Sequence, residues 1–183
     1  MPRLLALIAF VSAGLLVTPA QAQLLPFEVR GGVGMSGVTD PGVELFDPAR
    51  LRDANVELLY SIPDLNAWVL LGELRPHLGA TVSFAGQEHL VYGGLSWTFR
   101  APLLPVFAEA SLGGAWQGGA TDPVGTPPRF GCAALGRAAG SVGLDILPGA
   151  SLIGTVSHVT DFGLCGTPND GRTDAMLRIG IRF

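Results

Sequence analysis

The sequence predicts an all-β protein, an eight-stranded antiparallel transmembrane β-barrel. Three observations carry this expectation. An apolar leader opens a chain in which no later run of apolar residues is long enough for a membrane helix. Eight later segments alternate with period two. Every charged residue in those segments falls on one face, leaving the other face apolar.

Composition agrees. Of 183 residues, 48% are hydrophobic and 14% charged, whereas a soluble domain carries about 25% charged residues. Lysine is absent, and all 11 basic residues are Arg. With 26 Gly and 14 Pro the chain is too interrupted for a helical bundle, and it is too apolar for disorder. A formal charge of −4 excludes the basic patch of a nucleic-acid binder.

Residues 1–22 read as a secretory signal peptide: Arg3, the apolar Leu4–Val17, then Ala20-Gln21-Ala22 as a cleavage site. The barrel domain is expected over 23–183. Export makes a Cys132–Cys165 disulfide the natural reading of the two cysteines.

The elements follow in order. In Phe27–Gly37, Val29, Val33 and Met35 oppose Glu28 and Arg30. In Asn55–Ile62, Val56, Leu58 and Tyr60 oppose Glu57 and Ser61. Trp68–Phe84 sets Leu74, Leu78 and Val82 against Glu73, Arg75 and His77. Leu90–Arg100 sets Val91, Leu95, Trp97 and Phe99 against Tyr92, Ser96, Thr98 and Arg100. Val106–Trp116 sets Ala108, Ala110 and Leu112 against Phe107, Glu109 and Ser111. Ala134–Leu147 sets Val142, Leu144 and Ile146 against Arg137, Ser141 and Asp145. Ser151–Asp161 sets Leu152 and Val156 against Thr155, Ser157 and Asp161. Asp174–Phe183 sets Leu177, Ile179 and Ile181 against Asp174, Arg178 and Arg182. Most segments have the roughly ten residues that a tilted strand needs to cross a bilayer.

Turn lengths fit one orientation. Pro63–Ala67, Ala101–Pro105 and Pro148-Gly149 are short inner turns; of the outer connections Val38–Ala54, Ala85–His89, Gln117–Gly131 and Phe162–Thr173, three are long. The terminal Ile-Arg-Phe resembles the assembly signal of outer-membrane barrels, which implies the outer-membrane assembly machinery as a partner. Alternation alone does not say which face points inward. A soluble β-sandwich or lipocalin-like barrel would turn the apolar face in and the charges out. The low charge and the missing lysine favour the membrane.

His158 and Thr160 break the apolar face of the seventh segment. Spaced i, i+2, they project to the same side. An imidazole beside a hydroxyl is the core of a base-activated nucleophile; the plainer reading is an interfacial polar pair. His77, among charged residues, reads as a satisfied lumen histidine, and His89 as solvated. The spacing of the three His and two Cys is not that of a metal site, and no cofactor is expected.

His158-Val-Thr-Asp161, Leu164-Cys165, Pro168-Asn169-Asp170-Gly171 and Arg178–Phe183 resemble the lipid A 3-O-deacylases, the acyloxyacyl-hydrolase group of outer-membrane enzymes. Arg75-Pro-His-Leu-Gly79, Val91–Thr98 and Phe130-Gly-Cys132 are similar to that group too. The resemblance implies a lipid-facing triad that cleaves the 3-position acyl ester of lipid A: a His base, a Ser nucleophile within His-x-Ser-Asn, and a Glu on the last strand that orients the His. His158 matches the base. Thr160 stands for the Ser, Asp161 for the Asn, and Thr173 for the Glu, with Asp170 or Asp174 as substitute acids. Two outcomes are expected, a deacylase with an altered site or a non-catalytic lipid-binding or structural barrel. Either would sit in the outer membrane against lipid A or lipopolysaccharide. A homodimer is left open.

Overall fold

The computed structural model describes residues 26–40, 42, 51–62, 72–84, 86, 88–119, 130–166 and 171–183. The signal peptide, Trp68 and Asp170 lie outside them. Eight strands run in chain order: β1 (Phe27–Met35), β2 (Asp53–Tyr60), β3 (Glu73–Ser83), β4 (Leu90–Arg100), β5 (Val106–Gln117), β6 (Ala134–Leu147), β7 (Ala150–Thr160) and β8 (Arg172–Arg182). Each pairs antiparallel with the next, and β1 closes the ring against β8, with Val29 opposite Ile181 and Val33 opposite Leu177. A closed ring leaves no strand edge exposed, the condition for β-structure in hydrocarbon.

Tight connections lie at one end. Leu147 pairs with Ala150 across Pro148-Gly149, and Gly149 takes a φ of 81°, which a side chain would resist. Between β4 and β5, the Ala101 N–H donates to the Val106 carbonyl at 3.0 Å. The β1–β2, β3–β4, β5–β6 and β7–β8 connections lie at the other end, called the loop end below.

The faces sort as the alternation implies. Leu177 and Ile179 are 54% and 52% exposed, whereas Arg178 between them is 2% exposed. The apolar face is therefore the outer wall, and the soluble alternative is excluded. Phe84, Trp97, Phe99 and Trp116 are exposed on that wall.

The lumen is filled by charge. Arg30 grips the Glu109 carboxylate with two bonds, Nη1 at 2.6 Å and Nη2 at 2.9 Å, and its Nε donates to Glu28 at 2.6 Å. Arg75 reaches Glu28 at 2.5 Å and Glu109 at 2.9 Å. Arg178 joins Glu57 at 2.6 Å and the Thr155 hydroxyl at 2.6 Å. Paired in this way, three guanidinium groups and three carboxylates can stay ionised out of water. Above them, toward the loop end, Leu90, Tyr92, Ala115, Phe130, Leu135 and Val159 form an apolar plug. Arg137 lies under it, its guanidinium 4.0 Å from the centre of the Tyr92 ring.

Several expected boundaries move. β2 begins at Asp53 instead of Asn55, and β8 at Arg172 instead of Asp174. Both added residues are polar and were assigned to loops. Inside the barrel they have partners: Ser36 donates to Asp53 at 2.6 Å, and Arg172 pairs with Glu88 at 3.1 Å and Asp174 at 2.9 Å. β1 stops at Met35, two residues early, and β7 stops at Thr160, which puts Asp161 in the following turn. Cys132 precedes β6, which opens at Ala134.

Candidate functional site on the outer wall

Strand pairing builds the site from β6, β7 and β8. His158 stands opposite Ala138 of β6 and Thr173 of β8. Directly opposed residues on one face bring their side chains within reach. The His158 Nδ1 and the Thr173 hydroxyl are 3.0 Å apart, a hydrogen bond on the exposed side. The methyl of Ala138 leaves the other flank of the imidazole open. Gly171 approaches closely: a Cβ built there would lie 2.9 Å from the His158 Cε1. Gly171 also takes a φ of 62°, a conformation that a side chain would resist.

Thr160 lies two residues further along the same face and opposite Gly136. Its hydroxyl oxygen accepts from the Phe162 N–H at 3.1 Å. Asp161 has the other parity and is buried, with its carboxylate accepting from the Gly163 N–H at 2.8 Å and the Gly131 N–H at 3.4 Å. It ties the β7–β8 turn to the segment before β6. Asp174 is buried in the lumen with Arg172. Asp170 lies outside the described residues.

The cysteines pair as expected. Cys132 and Cys165 form a disulfide with Cα atoms 5.7 Å apart. It adds a covalent tie beside the one made by Asp161. Among the described residues, one cluster has metal-like spacing, Cys132, Asp161 and Cys165, but both its sulfurs are taken up by the disulfide. His77 is a lumen residue hydrogen-bonded to Ser96 at 2.9 Å, and His89 accepts from the Ser83 N–H at 3.1 Å.

A shallow apolar groove of about 830 Å³ lies on the wall below the pair, lined by Val33, Met35, Val142, Val156, Ala175 and Leu177 among others. Val156 and Ala175 sit one same-face position below His158 and Thr173. The groove thus ends directly under the imidazole. A second groove of about 590 Å³ shares Val142, Gly154 and Leu177 with it and continues toward the turn end past Leu152 and Val106. Small side chains on neighbouring strands, Gly140, Gly154 and Ala175, create the depression.

Sequence reasoning brought His158, Thr160 and Thr173 to one place but missed Phe162. Its φ of 57° is the one non-glycine positive value among the described residues. Its ring lies over Gly136, where a Cβ would be 2.1 Å from the Phe162 Cε2. The signal available was the Asp161-Phe162-Gly163 turn. That turn marks a reversal and does not reveal a partner on β6.

Fold and site together define a class: an eight-stranded transmembrane β-barrel with a charge-filled lumen and a polar cluster on its outer wall. Solved structures agree with the fold. The chain is similar to the outer membrane enzyme PagL, with a TM-score of 0.59 and 22% identity over 85% of this chain and 99% of that one. It is also similar to the N-terminal β-barrel domain of Pseudomonas aeruginosa OprF, with a TM-score of 0.54 and 12% identity over 87% and 98% of the two chains. At these identities the likeness speaks to fold alone. No family model matches the sequence, and no curated protein does.

Proposed function

We propose that this protein is an outer-membrane ester hydrolase of the lipid A deacylase type, acting on an acyl ester of a lipid in the surrounding leaflet. One observation carries the reading: a membrane-facing imidazole, His158, held by a hydrogen bond to Thr173 directly above an apolar groove. An ionisable group on a membrane-facing wall is a functional candidate by default.

The chemistry proposed is that of a base-activated hydroxyl. The tautomer that donates Nδ1–H to the Thr173 oxygen leaves Nε2 as the base. Nε2 takes the Thr160 hydroxyl proton as the Thr160 oxygen attacks the ester carbonyl. The tetrahedral intermediate collapses, and the imidazolium returns the proton to the departing alkoxide. Water, activated by the same imidazole, then releases the fatty acid and restores Thr160. The acyl chain lies in the groove past Val156 and Ala175. The loop end faces outward, where the headgroup and the ester reside. The PagL likeness supports the fold that such a reaction needs, and the His158–Thr160–Thr173 arrangement supports the chemistry.

A second reading is a non-catalytic lipid-binding or structural barrel. It is favoured by the partner of His158 being a hydroxyl, which stabilises an imidazolium less than a carboxylate does. Mass spectrometry of lipid A from cells expressing the chain separates the two. Loss of one 3-hydroxyacyl chain, abolished by His158→Ala, is the expected result. Unchanged lipid A from a folded barrel would leave the second reading.

A further inference from the structure

Beside the His158–Thr160 pair, one non-glycine residue takes a backbone conformation that side chains resist. Phe162 adopts a left-handed backbone, φ 57°, in which its Cβ is crowded. Neighbouring contacts hold it there. The Asp161 carboxylate takes the Gly163 and Gly131 N–H groups. The Leu164 N–H returns to the Asp161 carbonyl at 3.1 Å. The Cys132–Cys165 disulfide closes the same turn. Strain over-determined in this way collects at functional positions.

The conformation has two results. It aims the Phe162 N–H at the Thr160 hydroxyl oxygen, 3.1 Å away. It also lays the ring on the outer face of Gly136, the residue opposite Thr160 on β6. The ring gains little from burial, since Phe162 remains 70% exposed.

We propose that Phe162 is a positioning residue for the Thr160–His158 pair: its N–H fixes the Thr160 hydroxyl, and its ring, seated on Gly136, walls off the β6 side. A bulky reactant then reaches Thr160 only from the β8 side and the groove below. Its significance for turnover rests on the hydrolase reading; the wall itself does not.

The test uses the full chain folded in detergent micelles and carrying Thr160→Cys, with folding checked by heat-dependent gel mobility and the native disulfide by peptide mapping. The thiol at position 160 is labelled with a small methanethiosulfonate and with a bulky biotin-maleimide, and the ratio of the two rates is read. Phe162→Gly, which tolerates the same φ without a ring, and Gly136→Ala, whose methyl displaces the ring, are each expected to raise the bulky-to-small ratio at least tenfold. Phe162→Tyr is expected to keep the parent ratio. An unchanged ratio in both Phe162→Gly and Gly136→Ala would overturn the proposal. So would an equal rise in Phe162→Tyr. Hydrolysis of a p-nitrophenyl acyl ester is measured separately on chains retaining Thr160. An inactive parent with the expected labelling pattern removes the hydrolase reading and leaves the wall standing; an active parent with flat labelling does the reverse.

Discussion

The lumen and the outer wall of this barrel use polar groups in opposite ways. Inside, Arg30, Arg75 and Arg178 are buried and bound to Glu28, Glu57 and Glu109, and each charge there has a partner that folding needs. Outside, polar groups are rare, and His158, Thr160 and Thr173 gather in one place above a groove. The interior network is accounted for by structure. The exterior cluster is not, because a wall of Leu or Val at those positions would suit a bilayer better. That difference directs attention to the outer cluster as the place where the protein does something.

The contrast can be broken most severely from within. Arg30→Met would leave the Glu109 and Glu28 carboxylates to share Arg75 alone, and removing one partner of a buried pair costs about 3–5 kcal/mol. Urea titration of the barrel in micelles should show a loss of that size. A smaller loss would mean that the lumen admits water. Next comes the wall: Leu177→Arg places a charge in mid-hydrocarbon, at about 2–4 kcal/mol. Unfolding from lipid vesicles measures it, and no loss would contradict a lipid-facing wall. Removing the disulfide with Cys132→Ser and Cys165→Ser should cost about 2 kcal/mol, at the low end for such bridges, because the tie joins connections at the barrel rim. The smallest expected effect is at the site. His158→Ala on the exposed face should shift stability by no more than about 0.5 kcal/mol, and under the proposed function it should also abolish ester hydrolysis. A large stability loss there would make His158 a structural residue and erase the contrast.

Much of the architecture was legible because membrane strands obey period two and because one face collected every charge. Glu28 and Arg30, or Asp174 and Arg178, announce a lumen by parity alone. Strand ends were harder to read. Asp53 and Arg172 look like loop residues until Ser36, Glu88 and Asp174 are seen to hold them inside. The site was legible only in part. His158 and Thr160 stood out as polar residues with the wrong parity, and Thr173 came from a family resemblance. The bond between His158 and Thr173 depends on the β7–β8 register, and the seat of Phe162 on Gly136 depends on a contact across 26 residues of chain; neither is encoded locally. The buried carboxylate of Asp161 serves the turn, whereas parity gave only its inward side and the family resemblance set it in the Asn position of the motif.

The guanidinium–carboxylate packing at mid-height also bears on envelope permeability. Among the described residues, Arg30, Arg75 and Arg178 cross the bore with their carboxylate partners and an apolar cluster lies over them, so side chains and not a wide channel occupy the interior. An interior packed in this way leaves the outer wall as the surface through which the barrel meets the molecules around it.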